Sequence, residues 1–411
     1  MKKIWILAVG EPSPVDSNER LHRAGILATQ LSQSADYKVT LFNSTFFHQA
    51  KKNRYNCTTV TDCNDSLKLV FLNGRTYRKN ISISRVFSNQ DNCLAFREIS
   101  ARLPAPDIIL VAFPILGLAL EAMRYANVRN IPWIIDIRDF WPDIFYQMLP
   151  SFLTPLLNLG FYRFNKNLKL LLNSADGIIS PFSIGISWAK NRAAINSDQR
   201  LEVIPFTYEI ASRGNQDKAQ RSKITKLQST LHQKIVITCS GTISEHANIE
   251  EILSIDQELQ KLGFHNFHFI ICGSGPSLDS LIKKNALQKS THVHFLGWLD
   301  SASLKQIFSL SHFGILPYRA KHLVDGVPNK AIEYLCNNLP IITHTQMTAV
   351  SKLVLENELG IIYDLESLLD FGRMTTEYTY ADNTILNYYN DHFSPAIFLD
   401  KHTQLINKLL R

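Results

Sequence analysis

Short unbroken apolar runs alternate with amphipathic stretches along almost the whole chain, and this alternation restricts the fold more than any other feature of the sequence. A strand buried on both faces has no polar side and reads as a continuous apolar run, whereas a helix laid on a sheet shows one apolar stripe. The first half carries such runs at 3–9, 37–43, 107–113, 131–137 and 176–180. Between the first two, 18–33 predicts a helix, with Leu21, Ala24, Leu27, Ala28 and Leu31 as its stripe and Asp16 with Glu19 as a capping box. The region 44–106 predicts a shorter, irregular pair of strands (68–71, 81–86) and a helix through 91–102. A polar stretch at 211–226, with Arg213, Lys218, Arg221, Lys223 and Lys226, follows the strand-like Val203-Ile204-Pro205 and marks a linker. The alternation then restarts, with strands at 234–240, 267–272, 292–297, 313–317, 340–344 and 360–363. The helices between them fall at 247–262, 276–286, 301–310, 329–338 and 347–357, and an amphipathic tail at 394–411 carries Ile397, Phe398, Leu405 and Leu409. The expectation is an α/β protein of two doubly wound, Rossmann-like domains, 1–205 and 206–390, with a terminal helix at 391–411. Strand carboxyl ends would face each other across a cleft, the place where such sheets hold ligands.

Composition removes other classes. At 411 residues, 45% hydrophobic and 19% charged, the chain can bury a large core and is not a disordered polymer. The net charge of +7 is uneven: residues 1–200 carry +9 and residues 201–411 carry −2. The first half therefore suits an anionic partner such as a nucleic acid, a membrane surface or a phosphorylated substrate. No window of 18 residues is apolar enough to span a bilayer. The first apolar run meets Gly10 and Pro12 too soon for a signal peptide, so a cytoplasmic location is expected. Cys57, Cys63, Cys93, Cys239, Cys272 and Cys336 show no CxxC or CxxH spacing and read as reduced thiols.

The clearest chemical constellation is Asp325-Gly-Val-Pro328-Asn329-Lys330-Ala-Ile-Glu333, followed by Leu339-Pro340. Pro328 suits the first turn of a helix, whose free amides and dipole favour an anion, and Lys330 adds a positive charge there. Glu333 lies about one turn further in and leans back toward the helix start, where it could accept two ribose hydroxyls. Asp325 in the preceding loop would face whatever is attached beyond the phosphates. An ordinary surface helix with a Lys–Glu pair explains the same residues equally well.

These residues, with His-Val-His-Phe-Leu-Gly297 and Leu316-Pro317-Tyr318 upstream, resemble the donor-binding domain of retaining family-4 glycosyltransferases of GT-B fold, also called glycosyltransferase group 1. That family has two carboxylates separated by seven residues; here the first is Asp325 rather than Glu. Phe269-Ile-Ile-Cys-Gly273-Ser-Gly275-Pro276 resembles the strand, turn and helix that close over the nucleotide base. Ser240-Gly241-Thr242 matches the glycine loop after the domain's first strand, but the Arg and Lys that usually follow are absent. The resemblance then leaves Lys330, Arg319 or Lys321 to neutralise the diphosphate, with His246 either contributing or solvated.

In the first half, Gly10-Glu11-Pro12-Ser-Pro14-Val-Asp16, then Arg20 and Arg23, resembles the loop after strand one in a bacterial surface-polysaccharide branch of the family; only Gly10 remains of a frequent glycine pair. Asp136-Ile-Arg138-Asp139-Phe-Trp141-Pro142 resembles the same branch, with Arg138-Asp139 where many members carry a histidine. The resemblance implies a catalytic role for Arg138, Asp139 and Asp325. A structural Asp136–Arg138 ion pair remains open. Gly10, Gly241, Thr242, Gly273, Gly275, Asn329, Lys330 and Glu333 are the implied donor contacts.

Residues 144–175 contain no acid, and 149–172 combines Phe152, Leu156, Leu157, Phe161, Tyr162 and Phe164 with Arg163, Lys166 and Lys169. Either a headgroup-embedded helix or a crossover helix on the sheet fits this pattern. His292 and His294 share a strand face with no acidic partner in view, which argues against a metal site. The expected function is transfer of a sugar, with retention, from a nucleotide-diphosphate sugar to a lipid-linked or saccharide acceptor in surface polysaccharide synthesis. The protein would be cytoplasmic and peripheral on an anionic membrane, with no metal, no cofactor and no nucleic acid partner. A nucleotide-sugar 2-epimerase of the same fold and a non-catalytic sugar-nucleotide-binding protein are the alternatives.

Overall fold

The computed structural model describes residues 1–16, 19–48, 50–79, 82–208, 217–318, 326–379 and 383–411. The chain forms two compact units, Met1–Pro205 with Phe398–Arg411, and Phe206–Ile397.

In unit 1 the chain runs β1 (Lys2–Leu7), α1 (Arg23–Leu31), β2 (Tyr37–Ser44), a small hairpin of β3 (Phe46–Phe47) and β4 (Lys52–Asn53), then β5 (Thr59–Asn64) and β6 (Leu67–Leu72). It continues through α2 (Ile83–Ser100), β7 (Ile108–Phe113), α3 (Leu116–Arg129), β8 (Trp133–Ile137), α4 (Asp143–Met148), α5 (Thr154–Gly160) and α6 (Tyr162–Ser174). The last elements before the second unit are β9 (Gly177–Ser180), α7 (Ser183–Lys190) and β10 (Arg200–Val203). The main sheet has the order β10-β9-β8-β7-β1-β2-β6-β5, parallel except that β5 runs antiparallel to β6. Successive side chains of β1 go to opposite faces: Trp5 and Leu7 join the core under α2, α3 and α6, while Ile4 and Ile6 join the core under α1.

Unit 2 contains α8 (Lys218–Thr230), β11 (Ile235–Ser240), α9 (Glu250–Lys261), β12 (Phe267–Cys272), α10 (Leu278–Gln288), β13 (Val293–Gly297), α11 (Ser301–Leu310) and β14 (Phe313–Leu316). It closes with α12 (Asn329–Cys336), β15 (Ile341–His344), α13 (Thr348–Glu356), β16 (Gly360–Tyr363), α14 (Leu368–Glu377) and α15 (Thr384–His392). Its six strands are all parallel in the order β13-β12-β11-β14-β15-β16, the Rossmann order, which reverses direction between β11 and β14. The terminal helix α16 (Pro395–Leu409) sends Phe398, Leu405 and Ile406 into the core beside α1 in unit 1.

The alternation therefore translates into strands and crossovers, with four local corrections. The first helix starts at Arg23, not near 18, and its N-cap His22 makes no side-chain bond. Asp16 does not cap it: its carboxylate accepts from Ser13 N at 2.7 Å and from Arg54 Nη2 at 2.6 Å, a partner 38 positions away. The expected strand at 81–86 is instead the start of α2, capped by Ser82, whose hydroxyl accepts from Arg85 N at 3.3 Å. Ile83 and Val86 make this stretch look apolar, but they are 75% and 55% exposed on α2 and carry no core signal. Part of the expected linker is helix α8, held at its start by Asp217; only Ile224 of it is buried, which is why its sequence looks polar throughout. Residues 211–216 of that linker lie outside the described residues.

Leu405 is 1% exposed against α1 and β1. Replacing it by Ala is expected to lower the stability of unit 1 by about 2–4 kcal/mol through the lost apolar contact and the remaining cavity. Urea denaturation followed by tryptophan fluorescence measures this, since Trp5, Trp133, Trp141 and Trp188 all lie in that unit.

Candidate functional site

In unit 2 Gly241 after β11 and Tyr318 after β14 meet Lys330 of α12 on the carboxyl edge of the sheet, at the point where the strand order reverses. Gly241, directly after β11, has φ +115°, and its amide donates to Cys272 O at 2.8 Å. Gly273, directly after β12, has φ +147° and donates to Gly297 O at 2.7 Å, so the carboxyl ends of β11, β12 and β13 are tied in series. A Cβ on Gly273 would stand 1.8 Å from Gly241 O; no other residue fits this approach. Gly275 packs equally tightly on Ile243, whose amide donates to Ser274 O at 3.0 Å and whose carbonyl accepts from Ser277 N at 3.2 Å. Gly241 and Thr242 face solvent at this edge.

Helix α12 is fixed under these loops by two neighbouring side chains. Tyr334, fully buried, accepts from Ser240 N at 3.1 Å and donates to Ile315 O at 3.3 Å, joining the ends of β11 and β14. Glu333, 8% exposed, accepts from Ser240 Oγ at 3.1 Å. Its carboxylate is thereby placed at the end of β11 and not out on a surface face, which separates it from the ordinary Lys–Glu pair. Lys330, one turn earlier, reaches back so that its Cε and Nζ lie 2.2 and 2.7 Å from the position a Gly241 Cβ would take. The ammonium lies 5.3 Å from the Tyr318 ring centroid. Burial works against the Lys330 charge, but Tyr318, Cys239 and Glu333 more than offset it, and its pKa lies above the ordinary lysine value. A positive charge therefore stands beside the glycine loop, although that loop itself contains neither Arg nor Lys. Asn329 is exposed on the first turn, and Pro328 is the N-cap rather than the first helical residue. Asp325, Arg319 and Lys321 lie outside the described residues, as does the side chain of His246.

In unit 1, Asp136 at the end of β8 is 0% exposed, and its Oδ2 accepts from Arg23 Nε and Arg138 Nε, each at 2.8 Å. Arg138 also pairs with Glu11, and Arg23 donates to Ile204 O at 2.8 Å and Pro205 O at 2.9 Å. The Asp136–Arg138 ion pair is thus formed, inside a network that binds α1, β8, the loop after β1 and the segment after β10. Burial pushes the Asp136 carboxyl up, and Arg23 opposes this; burial lowers Arg138 to about 10, which leaves it charged at neutral pH. Asp139 is exposed, and its carboxyl is raised by the protein around it, with Arg138 and Arg85 opposing. Gly10 has φ +93° and donates to Asn43 Oδ1 at 3.1 Å.

Two other expectations change. His292 does have an acidic partner, with its Nδ1 3.7 Å from Asp256 Oδ1, and His294 Nε2 lies 3.0 Å from His268 Nδ1. Asp256 comes from α9 and His268 from β12, so the strand sequence alone contains no trace of either. Among the described residues no group of three His, Cys, Asp or Glu is arranged to hold a metal. The stretch 149–172 is not one helix: Ser151–Leu153 form a short 3₁₀ turn before α5 and α6. In α6, Leu168, Leu171 and Leu172 are buried as in a crossover helix, with Arg163, Lys166 and Lys169 exposed. Arg23, Glu11 and Ser240 fall inside the quoted motifs, but their pairing with Asp136, Arg138 and Glu333 becomes visible only as contacts.

Residues 221–370, just over a third of the chain and all within unit 2, match the family of glycosyl transferases group 1. No curated protein sequence matches the chain. Among solved structures it is similar to the sucrose-phosphate synthase from Thermosynechococcus elongatus, with TM-score 0.72 and 14% identity over 100% of this chain and 99% of that one. It is also similar to HepE from Anabaena in complex with UDP, with TM-score 0.63 and 12% identity over 100% of both chains. A third similar structure is the lipopolysaccharide outer core galactosyltransferase WaaB, with TM-score 0.61, 14% identity and 100% of both chains covered. At such identities the likeness shows the fold, and that fold is the expected GT-B.

Replacing Asp136 by Asn removes the shared anion between Arg23 and Arg138. A loss of about 3 kcal/mol is expected, because breaking a buried ion network strands its remaining charges. Chemical denaturation of the variant against the wild type measures it.

Proposed function

We propose that the protein transfers a sugar, with retention of anomeric configuration, from a nucleotide-diphosphate sugar to a lipid-linked or saccharide acceptor in bacterial surface-polysaccharide synthesis. The observation that carries this reading is the position of Lys330 and Glu333, a cation beside the Gly241 loop and a carboxylate at the end of β11, inside the segment that matches glycosyl transferases group 1. Lys330 and the start of α12 would neutralise the diphosphate as it departs, in a site shaped by Gly241, Thr242, Gly273 and Gly275. Glu333 would take the ribose hydroxyls, and Asn329 and Asp325 would lie toward the phosphates and the sugar. With a lysine in place of a cation cofactor, the reading requires no divalent metal. UDP, present in the HepE structure, is the first nucleotide to test. In unit 1 the exposed Asp139 is assigned to the reacting sugar, and Arg138, held by Asp136 and Glu11, is assigned to the acceptor side.

Glu333→Ala is expected to reduce donor turnover at least about 100-fold, which corresponds to about 2.7 kcal/mol in the transition state. The assay follows nucleotide release from UDP-sugars with and without acceptor, in the presence and absence of a chelator. Turnover only with an acceptor, unaffected by chelation, is the expected result. Conversion of donor without acceptor is the result of an epimerase, and binding without either reaction is that of a sugar-nucleotide-binding protein.

The same reading places unit 1 on an anionic membrane. Phe152, Leu156, Leu159 and Tyr162 are 76%, 66%, 77% and 65% exposed, next to exposed Arg163, Lys166 and Lys169, and no acid occurs between 144 and 175. No helix among the described residues is long and apolar enough to cross a membrane, so this contact would be interfacial. At about 1 kcal/mol per basic residue, replacing Arg163, Lys166 and Lys169 by Gln should weaken binding to phosphatidylserine-containing vesicles roughly 100-fold. Flotation measures this, and unchanged flotation of the triple variant rejects the surface.

A further inference from the structure

Three histidines gather at the amino end of the unit 2 sheet, the edge opposite the glycine loops. His268 is the second residue of β12, His294 is the second of β13, and His292 directly precedes β13. His268 is buried, and its Nδ1 lies 3.0 Å from His294 Nε2, with the two rings near-parallel at 6°. The His292 ring meets that of His268 at 5.0 Å and 73°. β13 is an end strand of the sheet and pairs with β12, in a ladder whose register shifts between Ile271 and Cys272. Two backbone bonds flank that ladder: Phe269 N donates to His292 O at 2.8 Å, and Gly273 N donates to Gly297 O at 2.7 Å. The histidine pair is thus a side-chain clasp at the amino end of an edge strand. The Gly273–Gly297 bond is its counterpart on the carboxyl edge, where Gly273 packs on Gly241.

Two imidazole nitrogens at this distance bond only while one of them carries no proton. The neutral pair and the singly protonated pair both keep the bond, whereas a second proton sets two N–H donors and two positive charges against each other. Lys234, ahead of β11, adds to the positive potential at His268. Among the described residues the carboxylate facing the cluster is Asp256 of α9, which is buried, accepts from Ser290 Oγ at 2.6 Å and lies 3.7 Å from His292 Nδ1. α8 and α11 cover the face that carries Ile270, Cys272 and Leu296 with Ile224 and Ile307, and α10 reaches β13 with the neutral Asn285, whose amide donates to Val293 O at 3.5 Å. Burial, then His294, His292 and Lys234, hold His268 at about 4, below the ordinary 6.5; burial and then His292 lower His294, with Asp256 opposing. The folded pair therefore takes up protons less readily than the unfolded chain. The stability it contributes is complete above about pH 6.5 and is lost as the pH falls toward 4.

We propose that the His268–His294 pair is an acid-sensitive latch on the edge strand β13: a second proton on the pair releases β13 from β12, and with it the support that Gly297 gives to the Gly273 turn. The release of the strand is independent of what unit 2 binds; its effect on a donor rests on the glycosyltransferase reading. Hydrogen exchange of the full chain, followed by mass spectrometry at pH 7 and pH 5 and corrected for intrinsic exchange rates, reads the strand directly. In the wild type the protection of 292–297 is expected to fall at least about tenfold more between the two pH values than that of 341–344 in the interior strand β15. His294→Gln, at a half-buried position, keeps an amide beside His268 and cannot become charged, and it should reduce that difference below about threefold. His268→Asn, a second variant, should do the same, and thermal melting at pH 7 verifies that each is folded. An equal fall in the wild type and in a folded variant overturns the latch. UDP at saturation should raise the protection of 292–297 in the wild type at least about tenfold, because a donor that needs the closed turn stabilises the closed strand. UDP that binds without changing this protection overturns the link to the donor edge. A wild type that binds no UDP in calorimetric titration overturns the donor reading, and the exchange comparison still decides the latch.

Discussion

The parallel hydrogen-bonded ladder is the constraint from which the rest of this structure follows. Two parallel strands cannot be joined by a tight turn, so each must be returned to the other end of the sheet by a crossover. The carboxyl ends of all parallel strands in a unit then fall on one edge, and the loops on that edge are free to differ. Both units use this in the same way. In unit 2 the edge holds Gly241, Gly273 and the start of α12; in unit 1 it holds Gly10, Asp136 and Asp139.

What fixes the chemistry on those edges is different in the two units. In unit 2 the anchor is neutral and short-ranged, with the Tyr334 phenol hydrogen-bonded to backbone at the ends of both β11 and β14. Glu333 and Lys330 take their positions from that anchor. In unit 1 the anchor is a buried ion network centred on Asp136, which Arg23 and Arg138 both contact at 2.8 Å. A network of this kind adds little net stability over apolar packing, but each member becomes costly to lose. It also commits the Arg138 charge to a carboxylate pair and leaves Asp139 as the exposed acid of that loop.

Most of the fold was legible in the sequence because buried parallel strands are apolar on both faces and carry their own signature. The strands of unit 2 fall within a residue or so of their expected bounds. The sequence misled where an apolar pattern did not face a core, as in Ile83 and Val86, and where a helix buries only one residue, as in α8 with Ile224. The donor-side candidates were legible because Lys330, Glu333 and Gly241 belong to compact motifs whose spacing is set by one turn of helix or one loop. The ion network of Arg23, Asp136 and Arg138 was not, because its members come from α1, β8 and the residue after β8, far apart in the chain.

The sequence by itself determined the class of fold, the number of doubly wound units and the candidate residues near 330, since these depend on hydrophobic period and on neighbours within a few positions. Only the tertiary structure decided which charges meet. Arg23 pairs with a carboxylate 113 positions away, and Lys330 supplies the cation missing from a loop almost ninety positions before it. Such contacts depend on the order in which strands lie in a sheet, and that order is settled by packing across the whole unit and leaves no mark at either residue.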